Sequence, residues 1–143
     1  MLFGYQCKPG HIEAWTDSDF AGCQKSRKST SGGIIRHGGH IIKSWSTSRA
    51  VVALSSGEAE YYALVKGSSG AIGTTNLCDD LGVIMDGPIR VNIDASAAIG
   101  IASRIGVGNV RHIEVNQLWL QEKCIRKRSK LSKYQRKKTL RTY

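Results

Sequence analysis

Between Thr47 and Ser55 the hydrophobic pattern changes its period, and this change limits the folds open to the chain. Before it, Ile12, Ala14 and Thr16 alternate with His11, Glu13 and Trp15, and the run ends at Asp17. A period of two is that of a half-buried strand. Ser31 to Arg36 and Ile41 to Thr47 read as two further strands. They are joined by His37-Gly38-Gly39-His40, where Gly-Gly supplies positive φ without a steric cost. The polar, basic segment from Gly22 to Thr30 links the first strand to the second. The three strands are expected to form an antiparallel meander.

After the change the spacing is helical. Ser55 with Glu58 three residues on matches a capping box, which satisfies free backbone N–H groups at a helix start. Ala59, Tyr62, Ala63, Val65, Ala71 and Ile72 then recur at helical spacing, predicting a helix to about Leu81. Gly67, Gly70 and Gly73 should weaken its middle, at about 1 kcal/mol each relative to Ala. Met85-Asp86-Gly87-Pro88 is a turn, and Ile89 to Ile93 is a strand with Asp94 at its end. Ala95 to Ile105 and His112 to about Lys127 read as helices. The order β-β-β-α-β-α-α predicts an α/β fold: a mixed sheet of three antiparallel strands plus one parallel strand, with helices packed on it.

The net charge of +10 is unevenly placed. Residues 126–143 hold nine Lys or Arg and no acid, whereas the remainder carries 12 basic against 11 acidic residues. The body is near neutral, and the basic tail would bind any polyanion through phosphate contacts and counterion release. No apolar run is long enough to span a bilayer, and the N-terminus does not have the pattern of a signal peptide. Cys7, Cys23, Cys78 and Cys124 are scattered with no C-x-x-C pair, which argues against a structural zinc site and for reduced thiols in an intracellular protein.

Asp17 and Asp94 each end a predicted strand, and Glu60 lies in the first turns of the crossover helix. Ligand sites in such sheets lie at strand C-terminal ends. We therefore expect Asp17, Glu60 and Asp94 to converge. Three carboxylates together repel one another unless a cation neutralises them, and an oxygen-only set suits Mg²⁺ or Mn²⁺. Two such ions about 4 Å apart serve phosphodiester cleavage, so the constellation points to phosphoryl chemistry on nucleic acid.

The segments Thr16-Asp17-Ser18-Asp19-Phe20-Ala21-Gly22, Arg27-Lys28-Ser29-Thr30-Ser31-Gly32-Gly33 and Ser55-Ser56-Gly57-Glu58-Ala59-Glu60-Tyr61-Tyr62-Ala63-Leu64 resemble the ribonuclease H domain of copia-type LTR retrotransposon Pol polyproteins. Asp94-Ala95-Ser96-Ala97-Ala98-Ile99 and Arg111-His112-Ile113-Glu114-Val115 are similar to its later motifs. The likeness runs from about Glu13 to Lys123, with the motifs in the family's order and spacing. It implies a ribonuclease H-like sheet over residues 11–125, preceded by an extension over 1–10 and followed by the basic tail. It also implies two Mg²⁺ or Mn²⁺ ions held by Asp17, Glu60 and Asp94. The expected activity is hydrolysis of the RNA strand of an RNA–DNA hybrid to leave a 3′-hydroxyl. The expected partner is the reverse transcriptase domain of the same polyprotein, without a membrane, in cytoplasm, nucleus or retroelement particles. The resemblance places Glu60 as ligand and leaves Glu58 to the cap, with Asp19 a neighbour of the site. Thr30, Ser31 and Ser56 are candidates for contact with a 2′-hydroxyl, against the simpler roles of turn and cap. His112 and Glu114 could approach the site, against a role at a helix start.

The family carries a fourth carboxylate after one more strand, in a segment like T-E-E-N-x-A-D-L. Here no acid follows Glu122, and residues 131–143 show no clear period, so the last strand and helix are expected to be missing. Codons for Lys133 to Tyr143 read two bases out of frame, with permitted synonymous choices, give Ile-Ser-Thr-Glu-Glu-Asn-Leu-Ala-Asp-Leu. We therefore expect a frameshift between about Glu122 and Lys133, with little or no activity in the chain as written. The alternative is a non-catalytic remnant that binds nucleic acid through its tail.

Overall fold

A computed structural model describes residues 4, 5, 7, 9–21, 28–48, 53–103, 119–125 and 129–133. The elements run β1 (Ile12–Asp19), β2 (Thr30–His37), β3 (His40–Ser48), α1 (Ser56–Asp80), β4 (Ile89–Ile93), α2 (Ser96–Ala102), α3 (Trp119–Ile125) and β5 (Ser129–Lys133). The sheet order is β3-β2-β1-β4-β5. β1, β2 and β3 pair antiparallel, with a register shift between Ile35 and Arg36. β4 runs parallel to β1, and β5 parallel to β4.

The meander is the one that the alternation predicts, with each strand a residue or two longer. Gly38, at φ +59°, supplies the turn between β2 and β3. Alternation sends Ile12, Ala14, Ile35, Val91 and Ile93 inward, where they meet Tyr61, Leu64, Val65 and Ala71 of α1 and Ala98, Ile101 and Ala102 of α2. α3 adds Leu120, and Gln121 Nε2 donates to the Ile101 carbonyl at 2.9 Å, fixing α3 on the end of α2.

α1 is one unbroken helix of 25 residues, glycines included. A Cβ at Gly67 would overlap Thr16 Cγ2, and one at Gly70 would stand 3.0 Å from Ile35 Cδ1. These glycines therefore let the helix settle directly on β1 and β2, and tertiary packing outweighs their poor helix propensity. The helix stops where a left-handed residue follows it. Gly82 has φ +75°, its N–H donates to Asp79 O at 2.9 Å, and Val83 N–H donates to Cys78 O at 2.8 Å. This pair of bonds is a Schellman cap.

The expectation that the sheet ends at its fourth strand is corrected. β5 is present, paired along its length with β4 from Ile89–Ser129 to Ile93–Lys133. Its sequence hides it because it is an edge strand with Leu131 as its one apolar residue. Leu131 stands opposite Val91 and packs on the core, while Ser132 and Lys133 are exposed. Polar and basic residues are normal on an edge, where a regular apolar pattern would invite pairing with another chain. The segment in which the family carries its last helix lies outside the described residues, as do residues 112–118 and 126–127 of the expected third helix. Among the described residues no helix is long and apolar enough to cross a membrane. Cys7 and Cys78 are free thiols.

Candidate metal centre

Two neighbouring parallel strands set the site. Trp15 of β1 pairs with Asn92 of β4, and Asp17 and Asp94 each lie two residues further along. Successive residues of a strand alternate faces, so a step of two returns to the same face. Both carboxylates therefore leave one face at one edge of the sheet. Across β1 on the other side, Asp17 pairs with Gly32, which has no side chain to cover it. Asp17 is accordingly exposed, while Asp94 and Glu60 are half-buried.

Glu60 arrives from above, in the second turn of α1. The helix start is held by Ser55, whose Oγ accepts from Glu58 N–H at 3.1 Å. Glu58 is buried, 3% exposed, and its Oε2 accepts from Leu54 N–H at 2.8 Å. The reciprocal bond thus reaches one residue beyond the capping serine, a variant of the box read from the sequence. With Glu58 turned into the cap, Glu60 is the glutamate that meets the aspartates. One carboxylate oxygen from each of Asp17, Glu60 and Asp94 lies within 4.8 Å of the others. Among the described residues no other group of three His, Cys, Asp or Glu side chains comes together in this way.

A cavity of about 400 Å³ opens beside the carboxylates, walled by Trp15, Ile34, Gly32 and Asn92. Asn92 Nδ2 donates to the Ala14 carbonyl at 3.4 Å, a long bond across β4 and β1. Sequence reasoning passed over Asn92, although it stands two residues before Asp94 and so shares its face. Among the described residues no Lys or Arg lines this cavity. The donor set offers three carboxylate oxygens, the ligand type that suits a hard divalent ion.

The remaining candidates lie elsewhere. Asp19 is exposed at the end of β1 and outside the cluster. Ser31 is buried, 4% exposed, and lines a different groove, on the α1 side of the sheet. Thr30 opens β2 opposite Asp19, and Ser56 is exposed at the start of α1. His112 and Glu114 lie outside the described residues.

No protein-family model matches the chain. Among curated proteins it is similar to the retrovirus-related Pol polyprotein from transposon TNT 1-94 of Nicotiana tabacum, 30% identical over 112 residues. That match takes in 78% of this chain, which spans 8% of the polyprotein's length. Among solved structures it is similar to LC11-RNase H1, isolated from compost by a metagenomic approach, at TM-score 0.54 and 17% identity, covering 89% of this chain and 86% of that one. The complex of LC11-RNase H1 with an RNA/DNA hybrid is similar at TM-score 0.54 and 16% identity, covering 91% and 89%. The protease–reverse transcriptase of prototype foamy virus is similar at TM-score 0.56 and 10% identity, covering 95% of this chain and 18% of that one. The shared feature is the fold: a mixed five-stranded sheet with helices, of the ribonuclease H type.

Proposed function

We propose that this chain, a relative of retrotransposon Pol polyproteins with the ribonuclease H fold, is a copia-type ribonuclease H domain built to hydrolyse the RNA strand of an RNA–DNA hybrid. The observation that carries this reading is the meeting of Asp17, Glu60 and Asp94 within 4.8 Å at the C-terminal ends of parallel strands. Those three side chains would hold Mg²⁺ or Mn²⁺. When bound, a pair of such ions activates the attacking water and stabilises the leaving 3′-oxygen.

The chain's own contribution is positioning. Asp17 meets Glu60 of α1 and Asp94 of the β4 end, and its strand partner Gly32 has no side chain to obstruct a phosphodiester. The capping bonds of Ser55 and Glu58 fix the first turns of α1, and with them the reach of Glu60. The family uses four carboxylates, and residues 123–143 hold no acid to supply the fourth. The chain as written is therefore a weakened member of the family, with little or no turnover.

The test is a labelled RNA–DNA hybrid incubated with Mg²⁺ or Mn²⁺, alongside direct titration of Mn²⁺ into the protein. Expected are saturable Mn²⁺ binding lost in Asp17→Asn, and at most trace cleavage, confined to the RNA strand of the hybrid and lost in Asp94→Asn. Robust cleavage abolished by Asp94→Asn would overturn the weakening. Mn²⁺ binding indifferent to Asp17 would overturn the site itself.

A second reading rests on the nine Lys or Arg and no acid in residues 126–143: a non-catalytic remnant that binds nucleic acid through this tail. It expects salt-sensitive binding that survives Asp17→Asn and disappears on deletion of residues 126–143.

A further inference from the structure

The middle of α1 rests on the sheet, but its end does not. Gly70 meets Ile35 of β2. Ten residues of α1 follow Gly70, about 15 Å of helix, whereas β2 runs on for two residues beyond Ile35, about 7 Å. The last turns of α1 therefore overhang the sheet at the edge away from Asp17 and Asp94. Leu77 and Leu81, four residues apart and so on one side of the helix, are 57% and 71% exposed there. Ile84, just beyond the cap, is exposed as well.

β2 lies antiparallel to both β1 and β3, so β3 starts at this same edge. Ile41 and Ile42 are exposed on it, and β3 is the outer strand of the sheet. His40 Nε2 donates to the Gly4 carbonyl at 2.8 Å, which brings the fully exposed Tyr5 alongside. Six of the eight large apolar side chains exposed among the described residues thus gather at one edge, Phe20 and Leu54 being the other two. Single exposed apolar residues are ordinary, whereas a collected set marks an interaction surface.

The two parts of this edge carry opposite charge. Residues 67–89 hold Asp79, Asp80 and Asp86 and no Lys, Arg or His, in a chain of net charge +10. All three aspartates are exposed. At β3, Lys43 follows Ile42 and Arg36 pairs with Ile41, and residues 30–48 hold no acid. None of these five charged groups forms an ion pair among the described residues.

An apolar patch with an acidic rim and an apolar patch with a basic rim therefore lie at one edge of one chain, and each complements the other. A two-fold axis between them seats the first patch of one copy on the second patch of its partner, and the reverse at the same time. We propose that this edge is a self-association surface, on which two copies of the chain form a closed dimer with Leu77 and Leu81 of each against Ile41 and Ile42 of the other. The acidic rim disfavours a polyanion as occupant. The carboxylates stand at the other end of the strands, so the dimer leaves Asp17, Glu60 and Asp94 open.

The test is sedimentation equilibrium of the full chain, freed of nucleic acid and in EDTA, over a range of protein concentrations. Expected is a monomer–dimer equilibrium that Leu77→Gln with Leu81→Gln reduces to monomer. Asp80→Lys and Lys43→Glu should each weaken the dimer at least about tenfold, because the two-fold axis counts each charge twice. Both changes in one chain should restore it to near the native value. These side chains are exposed, and an unaltered melting curve verifies that the fold is kept. A native chain that stays monomeric at every concentration overturns the proposal. So does a dimer indifferent to the paired leucine changes, and so do charge changes that add rather than cancel. Loss of the dimer on removing residues 134–143, with Lys43→Glu silent, assigns the acidic rim to the basic tail and overturns the pairing as well.

Discussion

Asp17 and Asp94 lie side by side because each stands two residues beyond the Trp15–Asn92 pair of adjacent parallel strands. Their closeness is fixed by sheet register rather than by attraction. Two carboxylates brought together in this way repel each other. Two unit charges some 4 Å apart in a water-like medium interact with about 1 kcal/mol. Asp94→Asn is therefore expected to raise the melting temperature in EDTA by the equivalent of about 1 kcal/mol. Added Mg²⁺ should stabilise the native chain by mass action and leave the variant nearly unmoved. Calorimetry with and without Mg²⁺ checks both. A native chain whose melting does not respond to Mg²⁺ or Mn²⁺ would mean that the three carboxylates bind neither.

The two glutamates of the α1 start should separate cleanly. Glu58 is buried and accepts from Leu54 N–H, so Glu58→Ala removes a charge-assisted capping bond and should destabilise the protein by about 1–3 kcal/mol. Ser55→Ala should cost about 1 kcal/mol for the same helix end. Glu60→Gln should leave the melting temperature in EDTA unchanged or slightly raised, and should weaken Mn²⁺ binding. Chemical denaturation paired with Mn²⁺ titration resolves the two roles. A Glu58→Gln variant that loses metal while remaining stable would reverse the assignment.

Packing of α1 on the sheet gives a test in two residues. A Cβ at Gly67 overlaps Thr16 Cγ2, so Gly67→Ala should destabilise by about 1–3 kcal/mol despite its better helix propensity. Thr16→Ser removes the methyl group in the way. In the double variant the overlap is gone and the propensity gain remains, so stability should return to near the native value. A double-mutant cycle by urea denaturation should show coupling of at least about 0.5 kcal/mol, the signature of residues in contact. Additive effects would place the cost of Gly67→Ala somewhere other than Thr16.

The same residues explain what could be read in the sequence. The meander was legible because Ile12, Ala14 and Thr16 alternate cleanly and Gly38-Gly39 marks a turn. The carboxylates were legible because Asp17 and Asp94 each close an apolar strand. Gly67 and Gly70 misled in the other direction: propensity marks them as weak points, whereas their bareness is what brings α1 onto Thr16 and Ile35. β5 left almost no trace, since one side of an edge strand meets solvent and Leu131 alone reports the core.

β1, β4 and β5 are mutually parallel, so all three present their C-terminal ends at the sheet edge where Asp17 and Asp94 stand. β5 ends at Lys133, the residue at which the out-of-frame reading begins with Ile-Ser-Thr-Glu-Glu-Asn-Leu-Ala-Asp-Leu. The out-of-frame reading is acidic directly after β5, whereas the written sequence there holds Arg136, Lys137, Lys138 and Arg141. Replacing residues 133–142 by the out-of-frame sequence should therefore strengthen Mn²⁺ binding and raise hybrid cleavage at least tenfold over the native chain, a change of about 1.4 kcal/mol in barrier. Asp94→Asn in the replaced chain should abolish the gain. Sequencing of the locus supplies the independent check, since codons at Lys133 to Tyr143 that do not permit the shifted reading would remove the frameshift whatever the replaced chain does.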